Sequence, residues 1–388
     1  MNHLYSDLFF AVFVGAGIIS ALALFTRQPL IIAYIGAGIL LGPEGFGLIN
    51  NIDAIQGMSH IGIVFLLFLL GLDMQPRALL AVARSASLIV LGSSVVFFVL
   101  GAAIGWALGF SLIEIIVLGM AAMFSSTIIG IKLLPTTVLH HKHAGELMVG
   151  LLLLQDLLAV CCLIALNALG QESFSASAFA VSIFSLPLII ALAFLGVRYL
   201  IVPLLARFDR FLEFIFIVAI AWCMGFAKLS EFAGLSAEVG AFIAGISLAQ
   251  SPIAQYIALS LKPLRDFFLV LFFFGLGATL QLGLLQEVWL GVLVYVAVLM
   301  MAKPATFRFL LKKHSESPKL ATDISLRLGQ ISEFSLLVVF FALTQNLISE
   351  QSATLVQTAT ILSFLISSYI VVLKLPNPIA VSEALRRD

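Results

Sequence analysis

Leu151-Leu152-Leu153-Leu154-Gln155-Asp156-Leu157-Leu158-Ala159-Val160 places a single carboxylate inside an apolar run. What surrounds that carboxylate follows from the rest of the chain. Of 388 residues, 62% are hydrophobic and 10% charged, and the mean hydropathy is +1.18. Soluble domains are about 45–50% apolar and about 25% charged. A water-soluble packing of this size leaves too much surface exposed to hide such a composition. A soluble enzyme, a nucleic-acid binder and a disordered chain are therefore excluded. The apolar runs are too long for strands and do not alternate, so the expected fold class is an all-α membrane protein.

Segments of about 20 apolar residues are needed to span a bilayer. Turn residues and charges delimit thirteen: 6–26, 29–42, 56–72, 85–109, 112–134, 145–168, 178–202, 211–228, 235–250, 262–282, 287–310, 321–346 and 353–375. The first lacks a basic flank and a small-residue cleavage site, so it reads as a retained helix and not a signal peptide. With the N-terminus outside, 18 of the 20 basic residues fall on the cytoplasmic side, from Arg27 to Arg387, leaving only Lys228 and Lys303. The opposite loops hold Glu44, Asp53, Glu172, Glu231, Glu287 and Glu350. That asymmetry predicts a cytoplasmic C-terminus. Residues 376–388 read as a short cytoplasmic tail, with 1–375 forming one transmembrane domain. Cys161, Cys162 and Cys223 lie in apolar stretches without zinc-ligand spacing and read as small apolar residues.

Ionisable groups inside spans cost about 2.5–3.5 kcal/mol each on insertion scales and mark function. Asp156 lies about 15 Å from either end of its span, too far for its short side chain to reach water. Such a carboxylate holds a proton or a cation. Gln155 offers a carbonyl oxygen and an amide, either for an ion or as interhelical glue. Lys303, two turns from the cytoplasmic end of its span, either snorkels or supplies a counter-charge to a carboxylate. Glu333, within Gly329-Gln330-Ile331-Ser332-Glu333-Phe334-Ser335, joins Lys303 as a charge-compensating candidate. That polar cluster interrupts span 12 as Phe124-Ser125-Ser126-Thr127 interrupts span 5. Two such interruptions in oppositely directed spans point to inverted repeats, here spans 4–6 and 11–13, whose broken helices meet at mid-membrane. Ordinary small-residue packing is the competing explanation. The candidate ion and proton site is then Asp156, Gln155, Ser125, Ser126 and Thr127, with a monovalent cation at Asp156. Glu238 reads as an interfacial residue. His140, His141 and His143, beside Lys142, read as a solvated loop able to feel pH. No filter such as Thr-Val-Gly-Tyr-Gly argues for a channel, and no metal motif or catalytic triad argues for an enzyme.

These motifs resemble the second cation–proton antiporter family, in particular the membrane part of Kef-type potassium–proton antiporters. The resemblance is carried by Gly38-Ile39-Leu40-Leu41-Gly42-Pro43-Glu44-Gly45, by Gly62-Ile63-Val64-Phe65-Leu66-Leu67-Phe68-Leu69-Leu70-Gly71-Leu72-Asp73, by Ser125-Ser126-Thr127 and by Gln155-Asp156. Further matches are Gly234-Leu235-Ser236 with Gly240-Ala241-Phe242-Ile243-Ala244-Gly245, Phe272-Phe273-Phe274-Gly275-Leu276-Gly277, and Gly329-Gln330 with Ser332-Glu333-Phe334. It implies a sodium–proton antiporter-like fold of thirteen helices with crossing, partly unwound core helices around 85–168 and 287–375. The remaining helices would form a dimerisation scaffold, in a homodimer within the bilayer of a bacterial inner membrane. It also implies that Asp156 carries the ion and proton, that the Gln155-Asp156 pair gives electroneutral exchange, and that Lys303 pairs with the carboxylate. Potassium is the implied cargo, exchanged for protons by alternating access; sodium is the alternative and a gated potassium efflux channel a more distant one. No cofactor is implied. Kef-type chains usually continue into a nucleotide-binding regulatory domain absent here. The chain is therefore expected to be a truncated piece lacking that domain or a free-standing member, with a separate regulatory subunit as a further partner.

Overall fold

The computed structural model describes residues 4–26, 28–49, 51–74, 76–127, 130, 143–169, 176–208, 211–251, 254–314 and 316–375. His140, His141, Lys142 and the tail 376–388 lie outside the described residues. Among the described residues every regular element is helical. The helices are α1 (Leu4–Phe25), α2 (Leu30–Leu41), α3 (Ile52–Asp73), α4 (Pro76–Ala107), α5 (Leu112–Met123), α6 (His143–Leu169) and α7 (Ala176–Gly196), then α8 (Leu212–Phe232), α9 (Ala237–Ala249), α10 (Ala254–Ala278) and α11 (Leu282–Lys313). The last three are α12 (Pro318–Arg327), α13 (Glu333–Thr344) and α14 (Glu350–Lys374). After α7 the chain runs on through a π-helical turn, Val197–Ile201, and a last piece, Val202–Arg207.

Eight of these helices are long and apolar enough to cross a membrane, while α2, α5, α9 and α13 are apolar but only 12 or 13 residues long. The segments follow the thirteen expected ones, with two informative differences. α4 begins at Pro76, not residue 85, and α10 at Ala254, not residue 262. Arg77 and Arg84 were expected in a loop and instead lie on α4, while Lys262 and Arg265, expected at the start of a span, lie well inside α10. A hydropathy boundary marks where lipid ends; helical hydrogen bonds continue into the headgroup layer.

The chain divides into two compact units. The first takes Met1–Ala16, Ala37–Ala78 and Leu163–Thr279. In it α3 packs on α9 and α10. Gly71 and Gly245 let α3 and α9 approach until a Cβ on either would strike the other's backbone, the small-residue contact expected of membrane helices. Phe65 and Phe268 stack 4.3 Å apart across α3 and α10.

The second unit takes Gly17–Gly36, Leu79–Cys162 and Leu280–Asp388. Here α5 meets α13, and α14 packs against α11, α12, α13 and α5. α5 starts at a capping box: Ser111 caps the Glu114 amide while Glu114 Oε2 accepts from the Ser111 amide at 2.9 Å. Glu114 Oε1 also accepts from the Ser349 amide at 3.0 Å and from the Ser349 hydroxyl, tying the start of α5 to the N-cap of α14. Further along, Tyr295 of α11 donates to Leu118 O (2.6 Å) and Ser335 of α13 to Ala121 O (2.6 Å). α5 is thus fastened along its length by side chains of the later half of the chain.

Candidate functional site

α5 ends at Met123 because Phe124 turns extended (φ −93°, ψ 148°), leaving Phe124, Ser125 and Ser126 non-helical. Segment 12 stops at Arg327 and resumes at Glu333, capped by Ser332. Both interruptions read from the sequence are real breaks in helices. Each strands buried backbone amides and carbonyls, and in lipid such groups must find partners within the protein.

The first break is served by three side chains. Gln155 of α6 accepts from the Ser125 amide (3.2 Å) and donates to Met123 O (3.2 Å), so its amide stands in for the helical bonds lost there. Lys303 of α11 donates to Phe124 O and approaches Ser125 Oγ (3.5 Å). Gln330, from within the second break, donates to Ser126 O (3.3 Å). The second break is served in turn. Lys303 donates to Gln330 O (3.2 Å), Ser363 of α14 accepts from the Ile331 amide (3.1 Å), and Ser125 Oγ donates to Leu328 O (2.9 Å). Gln330 Oε1 accepts from Ser367 at 2.9 Å. A Cβ at Gly329 would strike the Pro304 ring, so only glycine lets this strand pass α11 beside Lys303.

Lys303 is fully buried and does not snorkel. Its ammonium lies at the C-terminal end of α5 and just beyond that of α12, where the partial negative charge of each helix dipole is concentrated. Phe97 places its ring 5.1 Å from the ammonium, within cation–π range. Among the described residues no ion pair within 4 Å joins Lys303 to Asp156; its proton donors are spent on backbone carbonyls.

Asp156 is 1% exposed. Thr127 donates to it, with its hydroxyl 3.3 Å from Oδ1 and 3.4 Å from Oδ2. An O–H···O bond ordinarily spans 2.5–3.0 Å, so this is a loose contact, and among the described residues no other hydrogen bond reaches the carboxylate. Ser125 and Ser126, both buried, form the loop beside it. Glu333, also buried, acts electrostatically on Asp156. It carries the same charge sign and so cannot offset Asp156; two such carboxylates can only offset a cation. The arrangement is a buried carboxylate with a neutral hydroxyl against it, hard oxygen groups that can take a proton or a hard cation.

Gln330, Ser363 and Ser367 were not among the candidates from sequence. The available signal was a second glutamine in a polar interruption, in the same position relative to its break as a clamp requires, but its partners are remote in the chain.

The sequence profile described as sodium/hydrogen exchanger, transmembrane, matches residues 9–374. The iron transporter MagA of Paramagnetospirillum magneticum strain AMB-1 is 29% identical over 372 residues, which cover 94% of this chain and 85% of MagA. The glutathione-regulated potassium-efflux system protein KefC of Enterobacter sp. strain 638 is 29% identical over 350 residues, 88% of this chain. This chain spans just over half of KefC, 56% of its length. Among solved structures, the sodium proton antiporter MjNhaP1 of Methanocaldococcus jannaschii superposes with a TM-score of 0.64, covering 95% of this chain and 96% of that one at 16% identity. That likeness is one of fold.

Proposed function

From the sodium/hydrogen exchanger family, to which this chain belongs, we propose a function: exchange of a monovalent cation for protons at Asp156, with potassium as the cation. The observation that carries this reading is the loosely held carboxylate, 1% exposed, against the hydroxyl of a broken helix. A buried negative charge without a partner is expensive. A proton removes the charge; a dehydrated cation balances it, with the Thr127 hydroxyl rotating to present a lone pair. The two occupants exclude each other, and alternating access moves whichever is bound. One carboxylate that alternates in this way exchanges one charge for one, so transport is electroneutral. Lys303, engaged with both breaks, holds their shape while the occupant changes.

Asp156, Lys303 and both breaks belong to the second unit, which supports its role as the cargo-carrying core, the first unit being the scaffold of a homodimer. The distribution of Lys and Arg supports an inner-membrane orientation with the N-terminus outside. Potassium is favoured by the Gln155-Asp156 pair and by the likeness to KefC. The likeness to MagA makes iron the competitor, yet the group against Asp156 is the Thr127 hydroxyl, and no group of three His, Cys, Asp or Glu suited to a metal ion occurs among the described residues.

The test is proton flux in proteoliposomes challenged with potassium, sodium, lithium and ferrous iron. Potassium should drive the largest proton movement without generating a membrane potential, and Asp156→Asn should abolish it. Flux retained by that variant overturns the site, and flux driven best by sodium or iron overturns the choice of cation.

A further inference from the structure

Away from both breaks, in the first unit, α3 ends at Asp73 where its apolar span ends. The first half of α10 carries Lys262 and Arg265 before its phenylalanine-rich run begins at Phe267. These three side chains line one cavity of about 190 Å³, floored by Leu69 and Leu261 and edged by Leu259. At about 30 Å³ per water, that is room for about six waters, the scale of a small polar headgroup. Leu259 is 70% exposed, so the apolar edge of the cavity continues onto the outer surface of the helix.

The charges are held apart. Asp73 feels both Arg265 and Lys262, yet among the described residues no salt bridge within 4 Å closes it onto either. Arg265 instead reaches its neighbour Asp266 at 3.4 Å. Among the described side chains, two cations and one anion thus face a shared space at the level where a membrane span ends, with Asp266 beside them as a second anion. A purely anionic ligand would satisfy Lys262 and Arg265 and be repelled by Asp73. A ligand with a phosphate and, a few ångströms away, a hydrogen-bonding ammonium satisfies all three.

We propose that this cavity binds the headgroup of a phospholipid bearing a primary ammonium, phosphatidylethanolamine. Its phosphodiester lies between Lys262 and Arg265, its ammonium against Asp73, and its acyl chains along Leu259 and the apolar face below. Arginine and lysine are the usual phosphate partners at membrane surfaces. The primary ammonium, with three N–H donors, is distinguished from a choline group, which has none. The proposal is independent of the antiport reading and of the identity of the transported ion.

The experiment is native mass spectrometry of the delipidated full chain in detergent. Phosphatidylethanolamine, phosphatidylglycerol and phosphatidylcholine with identical acyl chains are added in turn, with free O-phosphoethanolamine as a competitor. Phosphatidylethanolamine should bind about tenfold more tightly than the other two. Asp73→Asn should remove that preference while retaining phospholipid binding, and Lys262→Gln with Arg265→Gln should weaken all three lipids about tenfold. Equal binding of the three lipids to the wild-type protein overturns the proposal, and that comparison stands even if a variant fails to fold. Displacement by O-phosphoethanolamine at equal concentration overturns the lipid as the source, and unchanged lipid preference in Asp73→Asn overturns the role of the aspartate.

Discussion

At the break after α5 the rescue comes mostly from other segments: Gln155 of α6 serves the Ser125 amide and Met123 O, and Lys303 of α11 serves Phe124 O. Ser126 O takes both Gln330 of the opposite break and the local Gly130 amide (3.1 Å). At the break before α13, part of the rescue is local, because Ser332 accepts from the Phe334 amide at 3.1 Å. Ser363 and Lys303 complete it from outside. A break that caps its own following helix keeps its shape alone. A break held mainly by others takes much of its shape from its partners, and this is the one whose Thr127 touches Asp156. The more dependent break therefore lies at the proposed cargo site, and the self-capped one braces it.

The sharpest way to break that contrast is to neutralise one carboxylate on each side. Asp156→Asn is expected to lose all coupled exchange, at least a hundredfold, while Glu333→Gln keeps it within about tenfold in the same proteoliposome assay. Equal losses would mean that the two breaks share the cargo. Next in size is Lys303→Met. Phe124 O and Gln330 O both lose their donor, at about 1–3 kcal/mol for each buried group left unsatisfied, so the apparent melting temperature in detergent should fall more than for any single glutamine variant. The glutamines then separate the two breaks. Gln155→Leu orphans the Ser125 amide and Met123 O and should cost about 2–6 kcal/mol. Gln330→Leu removes a brace between breaks and should cost about half as much on the same scale. The reverse order of melting temperatures would make the second break the dependent one. The smallest effect belongs to Thr127→Val. It removes a long hydrogen bond of about 1 kcal/mol or less, which should raise the cation concentration for half-maximal exchange about threefold, with melting unchanged.

The membrane class, the sites of both breaks and the burial of Asp156 within a span could be read from composition and from polar residues out of place. The work of the polar side chains could not. Lys303 could be read as a counter-charge because an ammonium and a carboxylate within one membrane suggest a pair. Its actual partners are carbonyls, groups that every residue carries and that no residue type announces. Phe124 lies 179 positions away from it. Gln155 was legible as polar, but whether an amide beside a carboxylate faces an ion or a stretch of backbone depends on where α5 stops, and Phe124 carries no strong stop signal. The starts of α4 and α10 were misplaced for a related reason: hydropathy reports the solvent around a helix, whereas hydrogen bonds decide its ends.

Gln155 and Asp156 are consecutive, so their side chains leave α6 about 100° apart. One grips the backbone of the first break and the other meets its hydroxyl two residues on. Clamp and ligand are joined by a single peptide unit, with no slack between them. In the proposed exchange, an ion that draws the carboxylate toward itself would pull through the same helical turn on Ser125, and through Ser125 on Leu328 of the second break. On that proposal, occupancy would be geared to the posture of both breaks without any separate transmitter, loading and release being strokes of one short lever.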